Sequence, residues 1–497
     1  MMSSIRFILS FLIFLLISNS YALIEGFYAD LFDDEGTQIM GVDLEEYCEY
    51  IGYSFEHLNT SSDKAKQAEV MIENPNDANG YLLYPDGEPR FAIIYYHGGY
   101  MGHSSDLGAE GRKRVRDHYY HGGSQFGSCA GSYMLSTYWQ GGQVQSTWFQ
   151  IWPGEMDGPN ASSTYIDHLI PEKSPLIGYF DFTAGSIVEQ VRHNNGGSVD
   201  TANAPEGTIF CSMHNSGTLK GYCATWAWKD HDTTGAVLGS TGHPEGKLRG
   251  QTKYICAMMY YLTDNLGRPD IKHQLENNTE IVMDKETADN MPNNTKIGDK
   301  QYHHFIIPLE NPAKNFVITL DGEDGYDFHL FAAQDTFAFN HSADYADSSS
   351  GSDKVLRIDE VVPSCTLYVG VKLATTVTAT SSSIFPEYSG KLEVLNGIQY
   401  SIKAAWDITD IVAKNQAGGI ERQFIAHTAG NMVYITLGNP TKLKRLQVFD
   451  ARGRRCHNTI IPAGRKSCTW QPPCAGIFFI QIKSGNDIFS QRITVTR

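Results

Sequence analysis

The chain has 497 residues, 41% of them hydrophobic and 19% charged, with a net charge of −17. That length exceeds one ordinary domain, and the composition can bury cores, which excludes wholesale disorder. The acidity argues against a nucleic-acid partner, because phosphate binding needs clustered cations. The charge is uneven, however: residues 441–497 hold 11 Lys/Arg against 2 Asp/Glu, a net +9 that leaves −26 for the rest.

Arg6 supplies a positive start, Phe7 to Ile17 is an apolar or small-residue run, and Ser20-Tyr21-Ala22 offers small residues for a peptidase. This reads as a signal peptide over residues 1–22, since a spanning helix needs about 20 apolar residues. The alternative is a single N-terminal anchor. No other stretch approaches spanning length, so a secreted or cell-surface protein without a further transmembrane segment is expected. Nine cysteines in an exported chain favour disulfides and leave at least one thiol over. No CxxC pair has zinc-like spacing.

Residues 23–270 carry an α/β pattern. Phe91-Ala92-Ile93-Ile94-Tyr95-Tyr96 is a continuous apolar run, expected of a strand buried on both faces, and ends in His97-Gly98-Gly99. Gly108 to Tyr120 reads as a charged helix; a short strand and a helix from near Gly131 follow. The alternation predicts a flavodoxin-like doubly wound α/β sheet with its site at the carboxyl ends of the strands.

Within it, Gly127-Ser128-Cys129-Ala130-Gly131 sets a nucleophile between glycines, after a strand and before a helix. The spacing is that of a nucleophile elbow in its cysteine form, and a helix beginning under the sulfur favours the reactive thiolate. A small buried cysteine in a Gly-rich turn is the competing reading. His243-Pro244-Glu245 lies 114 residues downstream, after the apolar Gly235–Gly239 segment. A thiolate needs a base to carry its proton, and the base needs a carboxylate to fix its tautomer. Residues at i and i+2 of an extended segment point the same way, so Glu245 can reach one ring nitrogen while the other serves sulfur.

These motifs, with Gly98-Gly99 ahead of them, resemble class I glutamine amidotransferase domains, most closely the branch similar to the amino-terminal domain of biotin–protein ligases. The resemblance covers roughly residues 23–265. It implies Cys129 as nucleophile, His243 as base and Glu245 as its orienter, with an oxyanion hole from the backbone N–H groups of Gly99 and Ala130. Glutaminases of that family usually carry Gln four positions after the nucleophile; here Tyr133 stands there as the substrate-pocket candidate, which argues against free glutamine as substrate. A further group of relatives has His directly after the nucleophile, and Ala130 excludes it.

Residues 271–299, polar and Asn-rich, read as a linker. After it the strand-like runs Phe316–Leu320, Val355–Ile358, Thr366–Val369 and Lys391–Val394 predict a β-sandwich over 300–410. It is similar to the bacterial pre-peptidase C-terminal domain through Tyr302–Pro308, Asp321–Leu330 and Tyr388-Ser389-Gly390. Asp321, Asp324 and Asp327 offer calcium-type oxygens or make a solvated turn. From about 430 to 497, the runs Val433–Leu437, Leu446–Phe449, Ile477–Ile480 and Ile493–Val495 predict four strands of a second all-β domain. Leu446–Arg454, Gly476–Ile482 and Arg492–Arg497 resemble a type IX secretion system C-terminal sorting domain, which implies export and sorting machinery as partners. There Cys456, Cys468 and Cys474 are candidates for a local disulfide.

The combined expectation is a secreted Cys-His-Glu amide hydrolase, an amidase or peptidase acting on an amide or peptide substrate through a thioester. No metal or cofactor is expected. The alternative is a non-catalytic surface-binding or structural protein.

Overall fold

A computed structural model describes residues 27–30, 44–57, 82–99, 101–246, 251–309, 313–340, 342–361, 365–380 and 387–408, and, further on, 424–429, 432–437, 444–450, 455–461, 467–472, 476–484 and 487–495. The expected signal peptide lies outside them. The chain divides into two compact units, Met1–Asp410 and Ile411–Arg497.

The first unit begins with β1 (Phe27–Asp30), α1 (Glu45–Ile51), β2 (Ser54–His57), β3 (Ile93–Tyr96), α2 (His103–Asp106), α3 (Gly108–Tyr120), β4 (Ser124–Ser128) and α4 (Ala130–Leu135). Helix α3 forms because Gly111, Val115, His118 and Tyr119 make one buried stripe, while Glu110, Arg112, Lys113, Arg114, Arg116 and Asp117 lie off it. There follow β5 (Ser136–Trp139), β6 (Gln143–Val144), β7 (Trp152–Met156), β8 (Thr164–Leu169), β9 (Ile187–His193), β10 (Ile209–His214), β11 (Cys223–Trp228), β12 (Val237–Ser240) and α5 (Thr252–Asp264). Nine of these strands form one sheet in the order β2-β1-β3-β4-β12-β11-β10-β8-β9. The pairs from β2 to β12 are parallel, and those from β12 to β9 are antiparallel.

The expected flavodoxin-like doubly wound fold is therefore corrected. The described chain is mostly β, with 43% strand and 14% helix. Strand–helix alternation stops at α4: from Ser136 to Ser240 eight strands follow without an α-helix between them. Antiparallel neighbours can be joined by short turns, whereas parallel ones need a crossover of a dozen or more residues. The composition of 136–240, with its many Gly, Asp and Asn turns, supplies the first and not the second.

Beyond α5 come β13 (Ile271–Gln274), β14 (Glu280–Met283), β15 (Tyr302–Leu309), β16 (Ala313–Gly322), β17 (Phe328–Gln334), β18 (Tyr345–Asp347), β19 (Lys354–Val361), β20 (Cys365–Leu373), the short pair β21 (Thr378–Thr380) and β22 (Glu387–Ser389), and β23 (Tyr400–Ile408). They build a five-stranded sheet, β13-β15-β20-β17-β18, and a four-stranded one, β14-β23-β16-β19. The alternating inward residues Phe316, Ile318 and Leu320 of β16 meet Leu367, Val369 and Val371 of β20 in a single apolar core. Two expectations change here. Residues 271–299 are not a bare linker, since β13 and β14 each add a strand to these sheets. The expected strand at Lys391–Val394 is instead a 3₁₀ turn over Leu392–Asn396.

The second unit holds β24 (Phe424–Ala429), β25 (Met432–Leu437), β26 (Lys444–Asp450), β27 (Arg455–Ile461), β28 (Ser467–Trp470), β29 (Gly476–Ser484) and β30 (Asp487–Val495). They form a three-stranded and a four-stranded sheet around a core that includes Val433, Ile435, Leu446, Val448, Phe478 and Ile480. The four expected strand runs lie in β25, β26, β29 and β30; β24, β27 and β28 are additional. Cys474 lies outside the described residues.

Candidate functional site

Strand β4 ends at Ser128 and α4 starts at Ala130, so Cys129 makes the whole turn between them. Its backbone sits at φ 45°, ψ −109°, a conformation that L-residues rarely adopt and that surroundings must enforce. The enforcement is visible. The Cys129 N–H donates to the Ser240 carbonyl at the end of β12 (2.8 Å), and the Ser132 N–H returns to the Cys129 carbonyl. A Cβ added at Gly131 would fall 2.0 Å from the Tyr96 carbonyl oxygen, and one at Gly127 would fall 2.4 Å from the Gly131 carbonyl carbon. Only glycine lets α4 seat this close to β3 and β4.

His243 and Glu245 reach this turn from the loop after β12. Glu245 Oε1 accepts from His243 Nδ1 at 2.9 Å, and the Cys129 side chain beside the ring favours its charged form. With Nδ1 taken by Glu245, Nε2 is the nitrogen left to serve the sulfur. Cys129, His243 and Glu245 are only 7%, 4% and 2% exposed. Burial opposes an imidazolium, but the Glu245 carboxylate and the contact with Cys129 outweigh it and push His243 up to about 10. Burial likewise opposes the Glu245 charge, and His243 with the Ser128 hydroxyl overcomes it, holding the carboxyl below its ordinary range. The arrangement favours an imidazolium beside the sulfur. That contribution to stability has a defined sign: it is full below about pH 6.5 and is lost as pH rises through about 10.

Several partners carried no sequence signal. Ser128 Oγ donates to Glu245 Oε1 (2.9 Å) and shares a 2.8 Å hydrogen bond with Tyr95 OH. Tyr47 OH donates to the Glu245 carbonyl, and the Cys129 Sγ points to the Asn194 carbonyl at 3.8 Å. These hydroxyls and carbonyls stand far apart in the chain, so only the closed sheet identifies them. Tyr133 lies on α4, buried, with its OH donating to Asn160 Oδ1 at 3.1 Å and its ring edge-on to Trp148. Burial first, then proximity to Cys129, raises its pKa.

Gly98 closes the other side. A Cβ there would fall 2.2 Å from His243 Cε1 and 2.9 Å from Cys129 Cβ. Gly98→Ala is therefore expected to push the imidazole off the sulfur, and a displacement near 1 Å costs about 10²-fold in rate. Alkylation kinetics of Cys129 should show the loss while the circular dichroism of the sheet stays unchanged. Gly99 follows at φ 128°, in the glycine-favouring region. Ala130 supplies the first N–H of α4, which the helix itself does not use.

Among the described thiols, Cys129, Cys211, Cys223, Cys256 and Cys365 are in no disulfide. In the acidic loop of Asp321, Asp324 and Asp327, the Asp327 carboxylate accepts the Gly351 N–H. No helix among the described residues is long and apolar enough to cross a membrane.

No family model and no curated protein matches the chain. Among solved structures it is similar to a DUF3244 family protein with an immunoglobulin-like β-sandwich from Bacteroides vulgatus, at 15% identity and TM-score 0.14, over 15% of this chain and 84% of that one. It is similar to the pre-peptidase C-terminal domain of a collagenase from Bacillus anthracis, at 14% identity and TM-score 0.18, over 28% of this chain and 98% of that one. It is also similar to a β-glucuronidase from Ruminococcus gnavus, at 11% identity and TM-score 0.14, over 41% and 36%. At these scores the likenesses carry no argument about function, and the amidotransferase resemblance has no counterpart among them.

Proposed function

We propose that this protein is an exported cysteine-dependent amide hydrolase, an amidase or peptidase, working through a thioester. The observation that carries the reading is the gathering of Cys129, on a strained turn, with His243 and the Glu245 carboxylate that accepts from its Nδ1. In the proposed reaction the Cys129 sulfur attacks the amide carbonyl carbon, and the imidazolium of His243 gives its proton to the leaving amine as the C–N bond breaks. Water, deprotonated by the now neutral His243, then attacks the thioester, releasing the acid and returning the sulfur and the proton to their starting places. The N–H groups of Gly99 and Ala130 would hold the oxyanion, a contribution worth about 10²–10³ in rate per donor. The motif order that resembles class I glutamine amidotransferases supports this chemistry. Tyr133, standing where a glutamine-binding Gln is usual, favours a substrate other than free glutamine, and the apparent signal peptide favours one outside the cell.

The test needs no substrate in hand. Iodoacetamide at pH 6.5 should label the native chain at Cys129, and Cys129→Ala should remove that label together with hydrolysis of any amide in a peptide-amide library. Hydrolysis that survives Cys129→Ala would overturn the mechanism. A Cys129 that is inert to alkylation in the folded chain would favour instead a surface-binding protein without turnover.

A further inference from the structure

Three histidines converge in the antiparallel half of the large sheet. His214, the last residue of β10, is the register partner of His168 on β8, and His193 ends β9, the next strand over. All three are at most 1% exposed. Their ring centroids lie 4.9–5.3 Å apart, and one ring nitrogen from each falls within 4.8 Å of the others.

The hydrogen bonds do not explain this gathering. His168 Nδ1 faces Tyr254 OH at 3.2 Å, and that hydroxyl is itself fixed by Ser212 and Thr225. His168 Nε2 then meets His193 Nε2 at 3.1 Å, and His214 Nε2 meets Thr241 Oγ1 at 3.3 Å. Nδ1 of His193 and Nδ1 of His214 are buried without a partner, which for a polar atom is unfavourable unless something answers it. The partners that are present are hydroxyls and a neighbouring imidazole, with no carboxylate among them, and burial keeps His168, His193 and His214 all well on the neutral side, His214 at about 4. Neutral imidazoles crowded together with spare lone pairs are what a borderline-soft divalent ion binds. In a tetrahedral zinc site, with Zn–N near 2.0–2.1 Å, ligand nitrogens stand about 3.3 Å apart. The His168–His193 pair already has nearly that spacing, and ring rotation can bring the third nitrogen in. Tyr254 stands where an outer partner holds a metal-binding histidine in its tautomer.

We infer that His168, His193 and His214 form a site for one divalent transition-metal ion of the zinc class, which holds the end of the sheet against the catalytic loop. The loop is in direct reach. The His243 N–H donates to the carbonyl of Arg192, next to His193, and a Cβ at Gly242 would fall 2.7 Å from His193 Nε2. The ion would thus position the segment that carries His243 without touching the substrate. This inference stands apart from the proposed hydrolase chemistry, because metal content is read without turnover.

The experiment uses the untagged full chain, loaded with Zn²⁺, dialysed against metal-free buffer and measured by inductively coupled plasma mass spectrometry. About one zinc per chain is expected, by analogy with three-histidine sites. Loading with Co²⁺ should give the visible absorption of a tetrahedral ion. His214→Ala should lower retained zinc at least tenfold, while His118→Ala, which removes a buried histidine elsewhere, should leave it unchanged. If His214→Ala does not fold, the native chain alone decides: stripping with a strong chelator should lower Tm by several degrees, and Zn²⁺ should restore it. Native protein that retains no zinc and shows no Zn²⁺-dependent Tm overturns the site, as does zinc retained equally by His214→Ala.

Discussion

Lys272→Met is expected to destabilise the first unit by about 3–5 kcal/mol, the usual cost of breaking a buried ion pair from one side. Lys272 begins the sandwich part of the chain, and its Nζ lies 2.7 Å from Asp86 and 2.8 Å from Glu88, both of which precede β3. Its side chain is 1% exposed and that of Asp86 is not exposed at all. His303 Nε2 stands 3.3 Å from Asp86, and Gln301 donates to the same carboxylate. Beside them Arg90 pairs with Asp299 at 3.1 Å. These contacts join the segment before β3 to β13 and β15, so one compact unit spans what the sequence divides into 23–270 and 300–410. Methionine fills a similar volume but leaves two carboxylates facing each other without a cation. Urea unfolding should show a lower midpoint for the first unit. Glu88→Gln in the Lys272→Met background should recover part of the loss, because it removes one of the stranded charges.

The same cluster gives a pH signature with a definite sign. Burial pushes Glu88 up to about 7, with Lys272 opposing. The folded state therefore holds a proton that the unfolded state has released between about 4.5 and 7, and the Glu88 contribution falls as pH rises across that window. Asp86 runs the other way: despite burial, Lys272 holds it well below the carboxylate range, so its contribution is lost only as pH drops beneath about 3.8. Glu88→Gln should flatten the decline between pH 5 and 7 and leave the acid side as it was.

How much of this was legible depends on how far apart the deciding residues stand. The run at Phe91–Tyr96 and the helix at Gly108–Tyr120 were readable because their signals are local, one an apolar block and the other a charged stretch. Cys129, His243 and Glu245 could be named because glycines at fixed offsets and an i, i+2 pair constrain a few residues at a time. The nine-stranded order was not readable: the antiparallel addition of β8 to β11 follows from pairings such as Met213 with Leu169, which leave no periodic trace. A linker reading of 271–299 failed because four-residue strands amid Asn and Asp look polar on average. Ser128 was hidden by its neighbour, since a serine before a nucleophile has no reason to stand out until Glu245 comes within 2.9 Å of it. The three buried histidines were overlooked for a related reason. Closely spaced cysteine pairs are a local signal, whereas strand pairing assembles His168, His193 and His214 from positions more than twenty residues apart.

Glu245→Gln is expected to abolish turnover almost as fully as His243→Ala, by about 10⁴-fold, while the fold persists. The glutamine side chain keeps the size and the reach to His243 Nδ1. If its oxygen faces the ring, it still accepts from Nδ1–H but no longer carries the charge that raises His243. If its nitrogen faces the ring, Nδ1 becomes the acceptor and Nε2 carries the hydrogen, so the nitrogen beside the sulfur cannot take a proton. Either orientation removes the imidazolium that Glu245 sustains, and Ser128 Oγ loses a charged acceptor for a neutral one. Ser128→Ala is a milder version, deleting one hydrogen bond to a charged group, typically about 1.5–3 kcal/mol, and leaving His243 Nδ1 paired. Alkylation of Cys129 at pH 6.5 should therefore rank native first, then Ser128→Ala, then Glu245→Gln with His243→Ala. A Glu245→Gln variant that alkylates at the native rate would show that the carboxylate only packs against the ring, and the ordered proton path from sulfur to acid would have to be given up.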